Sequence, residues 1–150
     1  YSRVTYDLTL AAARTLAVLN PQSTFCYITG EGTDSTETGR LMWARVKGRT
    51  ENHILRLALK AYMFRPGYIQ PLNGIRSKTR LYQALYNVLA PLYPLIKRLV
   101  PTHVTTTVNV GRAMIEVASN GYGKRILENT DINALAEERR AWAGSGPYWG

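Results

Sequence analysis

The run Thr24-Phe25-Cys26-Tyr27-Ile28-Thr29, followed at once by Gly30-Glu31-Gly32, decides how this chain is read. It is a short, continuous, largely apolar run rich in β-formers. That pattern describes a strand covered on both faces, as in a parallel sheet. Working back, residues 4–19 place Leu8, Ala11, Ala12, Thr15, Leu16 and Leu19 at three- and four-residue steps, which predicts a helix. Asn20-Pro21 ends it, because a residue before proline is pushed out of the helical region. Working forward, residues 36–57 predict a second helix. Asp34 and Glu37 have capping-box spacing ahead of it. Leu41, Ala44, Gly48, Leu55 and Ala58 mark one stripe, and Trp43, Lys47 and Glu51 mark an adjacent one. Ala61-Tyr62-Met63-Phe64-Arg65 is a second strand, stopped by Pro66-Gly67. Helix, strand, helix, strand with short connections is the order of an α/β layered fold with parallel strands.

The rest of the chain reads less sharply. Residues 77–100 are aromatic and aliphatic, but Gln83, Asn87, Pro91, Pro94, Lys97 and Arg98 interrupt them, so no undisturbed run of about 18 apolar residues survives. Two short helices broken at Pro91 and Pro94 are expected. Their Tyr and Leu side chains cover a core, line a pocket, or touch the interfacial layer of a membrane. Thr105-Thr106-Thr107 offers N-cap hydroxyls to an amphipathic helix carrying Val108, Ala113, Met114, Val117 and Ala118 and ended by Gly121. A last strand over 124–128, a last helix over 131–140 and a loose tail over 141–150 complete the reading.

At 150 residues the chain is one domain or a piece of one, and its 45% apolar content is that of a globular protein. Its first residue is Tyr1, so a trimmed chain or a fragment is expected. One cysteine excludes an internal disulfide framework and a multi-cysteine zinc site; Cys26, within its apolar run, reads as a buried, inert thiol. His53 and His103 have no second ligand at metal spacing, so no metal is expected. The first twenty residues show no signal-peptide pattern, and the expected compartment is reducing and cytoplasmic. The formal charge is +9 and uneven: residues 40–80 hold ten Lys and Arg against Glu51 alone, and the remainder is neutral. Such a patch is a solvated face, or it meets an anionic membrane or polyanion. No interleaved aromatic platform, zinc knuckle or helix-turn-helix pattern favours nucleic acid.

Two patterns carry chemistry. Gly30-x-Gly32-x-x-Ser35 after the first strand is a partial dinucleotide fingerprint, and Arg65 ending the next strand would suit a ribose 2′-phosphate. The second pattern is longer. Thr29 ends a strand, Trp43-x-x-x-Lys47 lies fourteen residues on, and Arg65-Pro66-Gly67 ends the next strand. Residues 105–118 and Arg125-Ile126-Leu127-Glu128 look like a closing helix and strand.

Taken together, residues 3–135 resemble the later part of an atypical or extended short-chain dehydrogenase/reductase, of the NAD(P)-binding epimerase/dehydratase-like kind. The resemblance implies a partial Rossmann-like, doubly wound parallel sheet lacking the N-terminal dinucleotide-fingerprint strands. It implies an NAD(P)-dependent oxidoreductase or epimerase chemistry. It assigns Thr29, Trp43 and Lys47 to the catalytic Ser, Tyr and Lys positions, and Lys47, Pro66, Gly67 and Tyr68 to an NAD or NADP cofactor. In the family a Tyr and a Lys four residues apart share a helix face; the ammonium lowers the Tyr pKa and holds the cofactor ribose, while the Tyr exchanges a proton with substrate. This chain has Trp43 at the Tyr position. An indole N–H donates but cannot shuttle a proton, so catalysis is impaired unless Tyr27 or Tyr68 substitutes. Lys47 could instead simply pair with Glu51 on an exposed helix face. The helices at 4–19 and 36–57 would, as in the family, flank the sheet and form a homodimer seam.

Overall fold

The computed structural model describes residues 1–70, 91–92, 94–95, 98–99 and 101–145. The chain divides into two compact units, Tyr1–Arg65 with Asn120–Glu128, and Pro66–Ser119 with Asn129–Gly150.

The first unit is an α/β layer. Arg3–Leu8 is wound as a π-helix and runs directly into α1 (Thr9–Leu19), so the expected helix is present with its first turns loosened. Strand β1 (Thr24–Ile28) follows, then helix α2 (Met42–Leu55), strand β2 (Lys60–Arg65) and, much later in the chain, strand β5 (Ile126–Glu128). The three strands form a parallel sheet in the order β1-β2-β5, with Thr24 opposite Lys60 and Met63 opposite Ile126. The α/β class and the parallel pairing expected from the 24–29 and 61–65 runs are what the unit contains. Leu10, Ala13, Ile54, Leu59, Ala61 and Met63 form the buried core between helices and sheet, with Phe25, Tyr27 and Leu16 packed on it. Tyr6 and His53 Nδ1 are hydrogen-bonded at 2.5 Å, and the Arg49 guanidinium lies 4.8 Å from the Tyr6 ring, so the π-wound stretch is stitched to α2.

Helix α2 starts six residues later than expected. The Asp34 carboxylate does not cap it. Instead Asp34 accepts from the backbone N–H and hydroxyl of Thr36 and from the Gly39 N–H at 2.7 Å, closing a loop in which Glu37 has φ +62°. A short carboxylate side chain satisfies loop amides as readily as helix amides, and here the loop wins. Those contacts also hold the Asp34 carboxyl below the usual carboxylate range, the Thr36 hydroxyl being the largest cause. The buried stripe of α2 is Ala44, Gly48, Thr50, Glu51 and Ile54, while Leu41 and Ala58 of the expected stripe are exposed.

The second unit contains β3 (Tyr68–Gln70) paired in parallel with β4 (Val104–Thr106), helix α3 (Thr107–Asn120, its last residue counted with the first unit) and helix α4 (Asn129–Ser145). Asn129 holds it together: its side chain accepts from the Gly67 N–H and donates to the Thr102 and Val104 carbonyls. Thr106 caps α3 by accepting from the Asn109 N–H at 3.1 Å. Helix α4 runs through Ser145, five residues past its expected end, so 141–145 is helix and not loose tail. Pro91, Leu92, Pro94 and Leu95 are helical, proline's locked φ being itself helical; the breaks expected at Pro91 and Pro94 turn on residues 90 and 93, which lie outside the described residues. The expected helix over 77–90 and the tail over 146–150 fall outside the described residues.

Candidate functional site

The site grows from the carboxyl ends of the parallel strands, where open α/β sheets hold ligands. Thr29 follows β1 and extends its ladder, its N–H donating to the Phe64 carbonyl at 2.8 Å. Arg65 ends β2, Glu128 ends β5, and these two are register partners. Helix α2 carries Trp43, Lys47 and Glu51 at successive four-residue steps, which puts all three on one face.

These side chains meet. Lys47 Nζ donates to the Thr29 carbonyl and lies 5.5 Å from the Trp43 ring centre. The Thr29 hydroxyl donates to Glu51 Oε1 at 2.5 Å, with the Phe64 carbonyl a second acceptor at 3.2 Å. Glu51 is fully buried and takes Arg65 in a forked pair: Nε reaches both carboxylate oxygens at 3.1 and 3.2 Å, and Nη2 closes on Oε2. The remaining Arg65 donors reach Ser35 Oγ at 2.5 Å and Glu128 Oε1 at 3.4 Å. Burial alone would lower the Arg65 pKa; its hydrogen bonds and charge attraction to Glu51 and Glu128 reverse that and raise it. Lys47 moves the other way. Its half-buried ammonium is held below the usual lysine range by desolvation, with Glu51 pulling partly back.

The loop after β1 makes room for Trp43. Gly32 has φ +82°, and a Cβ there would stand 3.4 Å from the tip of the indole, so glycine serves both the left-handed turn and the ring.

Lys47 is therefore brought against the Thr29 carbonyl and lies near the Trp43 ring. Pro66, Gly67 and Tyr68 belong to the second unit, where the Gly67 N–H is bound by Asn129 and the Tyr68 hydroxyl donates to Gln70 at 3.0 Å. Two functions of the residues were missed. Glu51 is not an exposed partner of Lys47 but the buried hub of the network. Arg65 is committed to carboxylates, which removes it as a ready receptor for a 2′-phosphate. Nor is the basic excess all presented to solvent: Lys47 and Arg65 are half-buried, and Arg45, also half-buried, donates to the Gly39 and Arg40 carbonyls. The Tyr27 hydroxyl, offered as a substitute acid–base group, donates to the Thr5 carbonyl, and burial raises its pKa.

Chemically, the arrangement offers a cation with two spare N–H donors at a strand end, beside an indole face. It offers little acid–base capacity, since the Thr29 proton is engaged by Glu51 and an indole does not titrate. Among the described residues no His, Cys, Asp and Glu cluster could hold a metal ion, and no helix is long and apolar enough to cross a membrane. Cys26 is partly buried and its thiol pKa is raised by desolvation, the opposite of a reactive cysteine. Comparison with protein-family models, with curated proteins and with solved structures finds no match to this chain.

Proposed function

We propose that this chain is part of a short-chain dehydrogenase/epimerase-like protein with a Rossmann-like sheet, binding NAD or NADP through Lys47 and impaired in proton transfer. The observation that carries this reading is Lys47 itself, anchored on the Thr29 carbonyl at the carboxyl end of β1 with Trp43 beside it. A nicotinamide cofactor would bring the redox chemistry. Lys47 would hold its ribose hydroxyls with the donors Thr29 leaves free, and the Trp43 face would exclude water there. The family pattern also assigns Pro66, Gly67 and Tyr68 to the cofactor, but they belong to the second unit, and the reading rests on the first-unit residues alone. Lys47 and Trp43 suit the binding half of such a site. They do not fit its proton-transfer half, because Trp43 stands where a Tyr is needed and the Thr29 proton is engaged.

Isothermal titration of the protein tests this. NADPH or NADH gives a saturable heat, and Lys47→Ala weakens the affinity about 10- to 100-fold, the worth of a charged hydrogen bond. Raising the pH weakens binding before ordinary lysines titrate, because burial has already lowered the Lys47 pKa. A titration without a saturable heat for either nucleotide overturns the reading.

The same reading carries a homodimer. Along the π-wound stretch and α1, Val4, Leu8, Val18 and Leu19 are exposed, an apolar face on the helix that the family uses as its seam. Light scattering on a sizing column gives a dimer for the protein and a monomer for Val18→Asp. A monomer for both removes the seam.

A further inference from the structure

Among the described residues Lys47 is the one lysine that is not exposed; Lys60 and Lys124 both are. It is half-buried, yet among those residues it makes no ion pair. Glu51, four residues on along the same helix face, is forked to Arg65 and takes the Thr29 hydroxyl. What Nζ has is the Thr29 carbonyl and the Trp43 ring, whose centre is 5.5 Å away. A half-buried ammonium without a counter-ion gives up its proton more readily than a solvated one, and desolvation holds Lys47 below the usual lysine range. The cofactor reading uses the charged form of Lys47 as a donor. The neutral form is a nucleophile, and that reading leaves it without a task.

We propose that Lys47 captures flat, conjugated aldehydes as an imine, with the π-face of the aldehyde against Trp43. The Nζ lone pair adds to the carbonyl carbon. The carbonyl oxygen takes a proton from water and the nitrogen returns one, which gives a carbinolamine. Its hydroxyl then leaves as water while the nitrogen lone pair closes the C=N bond. Nothing is oxidised or reduced, and water carries each proton, so the step asks nothing of the acid–base group missing at position 43. The Thr29 carbonyl accepts one Nζ hydrogen and so restricts the rotation of the amine. Gly32, whose added Cβ would stand 3.4 Å from the indole tip, keeps that end of the ring clear of a side chain. An aromatic aldehyde gains a ring-on-ring contact there that an aliphatic one lacks. The placement of Lys47 carries this inference, not the cofactor reading, and either can fail alone.

Reductive trapping tests it. The full chain is incubated with salicylaldehyde or with propanal, each with sodium cyanoborohydride, whose hydride fixes the imine as a secondary amine. Peptide mass spectrometry reads the rate at each lysine. Near neutral pH Lys47 is labelled faster than the exposed Lys60 and Lys124. The Lys47-to-Lys60 ratio falls as the pH rises, because ordinary lysines gain free amine over a range in which Lys47 already has it, and steps common to all lysines cancel in the ratio. Salicylaldehyde raises that ratio about 3- to 10-fold over propanal, and Trp43→Leu, which keeps an apolar side chain but no π-face, removes the preference. Labelling of Lys47 no faster than of Lys60, or a ratio indifferent to pH, overturns the capture. Equal ratios for the two aldehydes on the unaltered chain, or a preference that survives Trp43→Leu, overturns the assigned aldehyde class. A nucleotide titration without heat leaves all of these rates where they are.

Discussion

Glu51→Ala lowers the free energy of unfolding by about 3–5 kcal/mol, the cost of leaving one member of a buried ion pair alone. Glu51 has no exposed side-chain surface and the Arg65 side chain retains 11%. Removing the carboxylate strands the guanidinium, whose other acceptors are the Ser35 hydroxyl and the half-exposed Glu128 carboxylate. It also deprives the Thr29 hydroxyl of its 2.5 Å acceptor. Against a typical total of about 5–15 kcal/mol, this leaves a marginal fold. Urea denaturation followed by circular dichroism measures it as a lower midpoint at unchanged slope. A paired replacement, Glu51→Leu with Arg65→Met, recovers most of the loss, because no charge is then buried alone. A loss below about 1 kcal/mol for Glu51→Ala would mean the pair behaves as an exposed one.

Gly48→Ala is the second large effect. Glycine in the middle of a helix ordinarily costs up to about 1 kcal/mol relative to alanine, so a helical Gly→Ala change tends to stabilise. At Gly48 the sign reverses. A Cβ there would overlap the backbone carbonyl of Asp34, with the Ser35 nitrogen 3.0 Å away. Backbone cannot swing aside as a flexible side chain does, and the 34–39 loop is fastened by the Asp34 carboxylate. The expected loss is about 1–3 kcal/mol, read as a lower thermal midpoint. Gly111→Ala in α3 is the internal comparison: nothing stands within 4 Å of its added Cβ, and it gains up to about 1 kcal/mol. Equal and favourable shifts for the two would show that the loop does not press on α2.

The two glycines also show where reading from sequence stops. Both sit in helical patterns, and only tertiary packing separates them. The strands at 24–28 and 60–65 were legible as continuous runs of β-formers, although β1, at the sheet edge, is half-buried with Ile28 exposed instead of covered on both faces. The end of α3 was legible because Gly121 adopts φ +72°. Strands β3 and β4 were not: Tyr68–Gln70 directly follows Pro66-Gly67, which reads as a stop, and the Val104–Thr106 threonines read as caps for the next helix. The start of α2 was misplaced because Asp34 carries the same signal for a loop as for a helix cap. At the site, the shared helix face of Trp43 and Lys47 was legible in their four-residue spacing. The role of Glu51 was not. Four residues after a lysine it reads as half of a surface pair, and only the approach of Arg65 from β2 makes its burial tolerable.

The order β1-β2-β5 has a consequence for how the protein is made. Strand β2 is central, yet its second neighbour is β5, and Arg125 just ahead of β5 binds the Leu55, Ala61 and Leu59 carbonyls, at 3.0–3.1 Å, from some seventy residues downstream. During synthesis the 60–65 segment therefore emerges long before its far-side companion. One flank of that strand stays open on the ribosome until residues 126–128 have emerged, some sixty residues after the strand itself.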